Sequence, residues 1–214
     1  DQSERAIEIA ASIARWGIEQ QISVGVSTNG LIAGFDTPLR IPPGRGAQHE
    51  AQIMNGLARL WAFSTVPVAQ VLRQECVVGR VGILDADHHY GNGTADIIRR
   101  LSLDWIEHVT LGAEYTEPGD AARFFRDLPG ILARFRGCDL LLYQAGADPH
   151  LDDPLGGWLD DQQLRQRDRR VFDHARAAGL PVAWNLAGGY QQPLRKVLDI
   201  HDHTLRECMA VFEA

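Results

Sequence analysis

Short apolar runs alternate with longer segments of helical periodicity along most of the chain. Strands are predicted at residues 22–26, 81–84, 106–111, 139–143 and 181–186; helices are predicted at 3–19, 62–72, 93–101, 121–135, 160–178 and from 193 to the end. The runs at 81–84, 140–143 and 182–186 are as short and as well bounded as buried parallel strands are. This alternation implies right-handed crossovers, and it predicts a single α/β domain over residues 1–214 with a mostly parallel sheet covered on both faces.

The periodicity is lost between residues 27 and 55. Glycines and prolines are frequent there, among them Gly34, Pro38, Pro42 and Pro43, and they predict a long loop. A loop of that length inside a compact domain is usually functional. The segment is therefore a candidate source of residues for a binding site.

Composition and charge narrow the classes of function. The chain has 214 residues, of which 45% are hydrophobic, and a net charge of −7, with its arginines scattered among acids. This is unlike the basic stripe of a nucleic-acid-binding protein. No apolar run approaches the roughly 18 residues of a membrane span, and no signal-peptide pattern begins the chain. Cys76, Cys138 and Cys208 lack a CxxC spacing, which favours reduced thiols. We expect a cytoplasmic protein that binds neither nucleic acid nor membranes.

Polar clusters close three of the apolar runs. Asp85, Asp87 and His89 follow the run at 81–84, Asp148 follows the run at 140–143, and Tyr190 follows the run at 182–186. Parallel strands deliver their carboxyl ends to a common crevice, where ligands usually bind. Two of these carboxylates and the imidazole at one rim suit a divalent metal, and the phenol suits the role of a hydroxyl donor. The leading interpretation is a metal hydrolase.

These clusters resemble the motifs of the histone deacetylase family. The segment 85–94, Asp-Ala-Asp-His-His-Tyr-Gly-Asn-Gly-Thr, is similar to its metal-binding motif in the class II form, including bacterial deacetylase-like amidohydrolases. The segments 146–148 and 153–156 are similar to its second metal motif, and 186–190 to its tyrosine loop. The resemblance covers residues 81–213. It implies the arginase–deacetylase fold, a three-layer αβα architecture that is short at its N-terminus here.

The resemblance also implies roles for individual residues. Asp87, His89 and Asp148 would bind one Zn²⁺ per chain and leave an open coordination position. Tyr190 would donate a hydrogen bond to the developing oxyanion, with Gly188 and Gly189 letting the backbone approach the substrate. The positions of Asp85 and Asn92 correspond to residues that orient the histidines. In the family, the equivalent of Asp85 also helps to hold a monovalent cation, so K⁺ is expected near Asp85, with carbonyl oxygens from His89 and from the strand near Thr110.

The upstream part of the resemblance departs from the family pattern. The family carries a His-His pair there, and the best match in this chain is Gln48-His49. His49 would be the general base that takes the proton of the water and later protonates the leaving amine. Gln48 can hydrogen-bond the water but cannot carry a proton. Trp61 would line the acyl-chain tunnel, and the late start of the chain motivates the hypothesis of a homo-oligomer.

Several other polar residues have ordinary interpretations. His88 and His150 are expected at the rim or surface, since the ligand set is complete without them. His201 and His203 are expected to be solvated on the last helix. The arginines and aspartates around residues 165–170 are expected to form a charged, exposed helix face.

Three functions remain open from the sequence. The first is zinc-dependent removal of an acyl group from an acylated amine such as acetyl-lysine or an acetylpolyamine. The second is a catalytically impaired, metal-binding protein that acts as a binding or scaffold module, motivated by Gln48 and the altered upstream loop. The third is a dinuclear manganese ureohydrolase like arginase, which needs further Asp and His ligands. The only extra candidates near Asp148 lie in the Asp-Pro-His sequence at 148–150.

Overall fold

A computed structural model describes residues 2–35, 37–64, 71 and 79–213. The chain divides into two compact units, residues 1–78 and 79–214, and each unit is described by itself. The prediction that they form a single domain stays a prediction. No helix in the described part of the chain is long and apolar enough to cross a membrane.

The first unit is a small antiparallel sheet with two helices. In chain order its elements are α1 (Gln2–Glu19), β1 (Val24–Ile32), β2 (Pro38–Gly44), α2 (Ala47–Ala58) and β3 (Leu60–Ser64). The strand order is β2-β1-β3. Its core is built from apolar side chains of both helices and of β2, namely Ala14, Ile18, Leu39, Ile53 and Leu57. This antiparallel sheet is separate from the parallel sheet that the sequence predicts.

The long loop predicted at 27–55 is wrong. Strands β1 and β2 pair in antiparallel fashion, and residues 47–58 form a helix. The prolines are accommodated because β2 lies at an edge of its sheet, where Pro42 and Pro43 need not donate to a neighbouring strand. Gly46, at φ 87°, lies immediately before α2. The helix predicted at 62–72 is also wrong over residues 62–64, which belong to β3, and most of the remainder lies outside the described residues.

The second unit confirms the α/β prediction. Its elements are β4 (Val81–Asp85), α3 (Asn92–Arg100), β5 (Ile106–Thr110), α4 (Ala121–Ala133), β6 (Leu140–Gly146), α5 (Asp161–Ala178), β7 (Val182–Ala187) and α6 (Arg195–Phe212). The four strands are parallel in the order β5-β4-β6-β7. Each of these elements lies close to its predicted position, because each apolar run or helical stripe ends at a clear polar or glycine boundary.

Aromatic and aliphatic side chains fill the core of this unit. Phe124 of α4, Tyr143 of β6 and Phe172 of α5 are fully buried. Helix α5 starts at a capping box formed by Asp160 and Gln163 and ends at Gly179, in a left-handed conformation. Both boundaries are therefore fixed by local chemistry. Cys138 and Cys208 are free thiols, as predicted, and Cys76 lies outside the described residues.

Candidate metal centre

The carboxyl ends of three neighbouring strands carry the predicted site residues. Asp85 is the last residue of β4, and Asp87 and His89 lie in the loop that follows it. Asp148 follows β6 by two residues, and Tyr190 follows β7 by three. The strands are parallel and in register, with Asp85 opposite Gln144 of β6. The topology therefore places all three loops at the same edge of the sheet, as the sequence predicts.

The three predicted metal ligands lie together. One ligand atom from each of Asp87, His89 and Asp148 lies within 4.8 Å of the other two. His89 Nδ1 is 2.9 Å from Asp148 Oδ2, and the backbone N–H of His89 donates to Asp87 Oδ1 at 2.8 Å. Asp148 is 0% exposed, whereas half of the His89 side chain is exposed. The group thus has a buried carboxylate at its base and an imidazole open to solvent.

The electrostatics of this group suit a cation. Burial and the charge of Asp87 raise the pKa of Asp85 to about 6, and the same two causes raise the pKa of Asp148. Carboxylates crowded in a partly buried place disfavour one another's charged forms. A divalent cation bound between them would remove that repulsion. The donor set, two carboxylates and one imidazole, is one that zinc sites use.

Glycines allow the three loops to approach one another. A Cβ added to Gly146 would overlap Cα of Asp87, and one added to Gly188 would overlap the carboxylate of Asp148. Gly188 also has φ of +57°, where side chains are rarely found. The close packing of the ligand loops therefore depends on the absence of side chains at these two positions.

Replacing Gly188 by alanine is expected to weaken zinc binding by about tenfold or more, since the new methyl group must displace the Asp148 carboxylate and indirect perturbations of this kind cost roughly 10–100-fold in metal affinity. The matched control is Gly179→Ala, because Gly179 has a similar φ of +61° but open space around its Cα. Gly179→Ala should lose about 1 kcal/mol of unfolding free energy through its left-handed backbone alone, and Gly188→Ala should lose more because of the overlap with Asp148. Equal zinc Kd values for the two variants in a calorimetric titration would contradict the packing argument.

Tyr190 faces the open side of the group. Its ring centroid lies 6.4 Å from that of His89 at an interplanar angle of 89°, and the residue is 50% exposed. Its backbone N–H donates to Oδ2 of buried Asp153 at 2.8 Å, and Asp153 Oδ1 accepts from the N–H of Leu155. The tyrosine loop is therefore tied to the segment that follows Asp148. The phenol is left beside the candidate ligands and accessible to a substrate.

Gln144 is also part of the site, although it was not predicted from the sequence. Its Nε2 donates to Asp85 Oδ1 at 3.0 Å and to Asp87 Oδ2 at 2.9 Å. Asp85 Oδ1 is also 3.4 Å from the backbone nitrogen of Asp87. Asp85 therefore orients the loop that carries Asp87, and its predicted role in orienting a histidine stays a prediction. A polar residue inside the apolar run of β6 was the signal that could have identified Gln144.

The region predicted to hold K⁺ lies beside this loop. The hydroxyl of Thr110 is 3.4 Å from the carbonyl oxygen of His89 and accepts from the N–H of Gly91 at 3.0 Å. A Cβ on Gly91 would overlap Asp85 Oδ2. These oxygens are thus near one another, and K⁺ binding stays a prediction. Asn92 is exposed at the first residue of α3, and its predicted role stays untested.

His49 has a different setting from the one predicted. It lies in the first turn of α2 rather than in a loop, and its Nε2 is 2.7 Å from the carbonyl oxygen of Val24. The ring packs against Gly44. Gln48 is exposed at the start of the same helix, and Trp61 is exposed on β3. All three lie in the first unit, and their catalytic and substrate-binding roles stay predictions.

Two of the predicted surface histidines are buried. His150 accepts the N–H of Asp152 at Nδ1, and His201 of α6 is largely buried. Burial lowers the pKa of His201. The surface prediction for these two is therefore wrong, while His88 and His203 are partly exposed.

The charged face predicted at 165–170 is wrong for two of its residues. Arg167 and Asp168 are each 1% exposed and form an ion pair of 2.8 Å. They follow Leu164 by three and four positions, and they precede Val171. Leu164 and Val171 are both buried. The 3.6-residue period of the helix places Arg167 and Asp168 on the core face. This spacing could have predicted that the two residues are buried. The general rule that charged side chains are solvated led to the opposite prediction.

One of three comparisons with known proteins, that with solved structures, bears on the fold. No family model matches the chain. An uncharacterized protein of Picosynechococcus sp. is 28% identical over 160 residues, which are 65% of this chain and 50% of that protein. The crystal structure of an acetylpolyamine aminohydrolase from Burkholderia pseudomallei aligns with a TM-score of 0.53 and 20% identity, over 67% of this chain and 48% of that one. The chain spans about half the length of each, and the likeness confirms the predicted arginase–deacetylase fold.

Proposed function

We propose that this chain is a zinc-dependent amidohydrolase that removes an acyl group from an acylated amine such as acetyl-lysine or an acetylpolyamine. The observation that carries the proposal is the convergence of Asp87, His89 and Asp148 within 4.8 Å, with the accessible ring of Tyr190 beside His89. An open metal site next to a hydroxyl donor is suited to the cleavage of a carbonyl–nitrogen bond. The structural likeness to an acetylpolyamine aminohydrolase supports this class of substrate.

Each residue of the site has a role in this proposal. Asp87, His89 and Asp148 would hold the zinc, and Asp85 and Gln144 would orient Asp87. Bound zinc supplies a water of lowered pKa and a polarised acyl carbonyl.

Two further side chains would donate hydrogen bonds or transfer protons to the reacting groups. The Tyr190 hydroxyl would donate a hydrogen bond to the carbonyl oxygen as that oxygen gains negative charge. His49 is the proposed proton carrier between the water and the leaving amine. Its Nε2 donates to the carbonyl oxygen of Val24, so Nδ1 would be the ring nitrogen that carries this proton.

A hydrolysis panel tests the proposal. The full chain, loaded with Zn²⁺, is incubated with acetyl-lysine peptides, acetylpolyamines and longer N-acyl amines, and the released acid is measured. We expect turnover of at least one substrate, and we expect a hydroxamate or a chelator to abolish it. Absence of turnover above background with Zn²⁺, Fe²⁺ and Mn²⁺ across the whole panel would contradict the proposal.

One observation favours a second candidate, a metal-binding module that recognises acyl-lysine without hydrolysing it. Gln48 stands where the family that the sequence resembles has the first histidine of a His-His pair, and an amide cannot carry a proton. A chain without a working general base would still bind the metal and the ligand. Calorimetric binding of an acyl-lysine peptide by zinc-loaded protein, without acid release over days, would favour this candidate over the first.

A further inference from the structure

A single buried guanidinium links the two loops that carry the carboxylate ligands. Arg167 Nη1 donates to the carbonyl oxygen of Ala86 and to that of Gly146, each at 2.9 Å. Ala86 directly precedes Asp87, and Gly146 precedes Asp148 by two residues. This one nitrogen atom therefore fixes the distance between the backbones of the two loops that carry Asp87 and Asp148.

The guanidinium is itself held rigidly. Arg167 Nε donates to Asp168 Oδ1 at 2.8 Å, and the same oxygen accepts from the hydroxyl of Tyr143. Asp168 Oδ2 accepts from the hydroxyl of Thr204 at 2.6 Å. These partners come from α5, β6 and α6. The position of Nη1 is therefore determined by three packed elements and not by one flexible side chain.

The third loop is anchored by the same helix layer. Val197 of α6 lies so close to the tyrosine loop that a Cβ on Gly189 would overlap its side chain. Helices α5 and α6 thus contact the backbones of the loops that carry Asp87, Asp148 and Tyr190. A buried ion pair contributes little net stability compared with apolar packing. The presence of the Arg167–Asp168 pair at this place is better explained by the way in which it positions the loops.

We propose that Arg167 is a positioning residue of the metal centre, which sets the separation of Asp87 and Asp148 through the carbonyl groups of Ala86 and Gly146. The inference rests on one part of the proposed function, namely that the site binds a metal. Lysine at this position would keep the charge opposite Asp168 but could not reproduce a planar fork that serves one carboxylate and two carbonyls.

The test compares metal binding by Arg167→Lys and Arg170→Lys. Arg170 is a matched control because it lies on the same helix and also donates to a backbone carbonyl, that of Phe125, at 3.0 Å. The Kd for Co²⁺ and the visible absorption spectrum of the Co²⁺-loaded full chain are measured. We expect Arg167→Lys to weaken binding by about 10- to 100-fold and to change the spectrum, and Arg170→Lys to do neither.

A second variant distinguishes a direct loss of metal binding from misfolding of the Arg167→Lys protein. The double substitution Arg167→Gln with Asp168→Asn removes both charges, so that neither is left buried and unpaired, and we expect the same loss of Co²⁺ affinity in its folded fraction. A Kd within twofold of wild type and an unchanged spectrum in both variants, with only the unfolding free energy lowered, would overturn the inference. If wild type itself bound no Co²⁺ or Zn²⁺, the proposed function would fail first.

Discussion

Replacing Asp148 by asparagine is expected to abolish tight zinc binding. The carboxylate is fully buried and lies 2.9 Å from the ring of His89, so its loss removes one of the two anionic donors of the ligand set. The loss should exceed the roughly 10- to 100-fold that follows removal of a residue acting only through a ligand. Calorimetric titration of the metal-free protein with Zn²⁺ measures the effect directly.

The variant should still fold. Burial and the charge of Asp87 already raise the pKa of Asp148, so its charged form is disfavoured in the metal-free protein. A neutral amide of the same size therefore removes an unfavourable charge rather than a favourable one. Asp152→Asn is the control, because Asp152 is exposed in the same loop. A zinc Kd for Asp148→Asn within tenfold of that of this control would show that Asp148 is not a ligand.

Tyr190→Phe is expected to lower kcat by about 10²–10³ and to leave the zinc Kd unchanged. Removing one donor to an oxyanion has an effect of that size, and the substitution leaves the three proposed ligands Asp87, His89 and Asp148 in place. The same substrate that gives turnover in the hydrolysis panel is used for the measurement. The change tests the catalytic role separately from the metal site.

Tyr90 supplies the matched control for this variant. It lies one residue after His89 and is about as exposed as Tyr190, but it lies outside the tyrosine loop that the sequence singles out. Tyr90→Phe should keep turnover within about twofold of wild type. Equal activity of the two phenylalanine variants would remove Tyr190 from the mechanism and favour the binding-module alternative.

The sequence predicts the metal centre because its residues follow recognisable strands. Asp87, His89, Asp148 and Tyr190 each lie within a few residues of the end of a short apolar run. Parallel strands in register bring such ends together whatever the details of the connecting helices. The parallel sheet and the site are therefore foreseeable from the same pattern, and the structure places these four residues at one edge.

Other parts could not be foreseen, for different physical reasons. The environment of His49 depends on a hairpin with prolines in an edge strand, a pattern that local rules interpret as a loop. Local spacing could have indicated that Gln144 and Arg167 lie inside the fold, but it does not reveal their partners. Their contacts join strands and helices that are far apart in sequence and follow from tertiary packing.

The number and kind of metal ligands test the central claim most directly. Metal-free protein is titrated with Zn²⁺, the stoichiometry is determined by elemental analysis, and X-ray absorption gives the donor atoms. The account predicts one zinc per chain, bound by a single imidazole with oxygen donors. Two metals per chain would favour the arginase-like alternative. Absence of bound zinc, or a zinc with several imidazole ligands, would contradict the assignment of Asp87, His89 and Asp148.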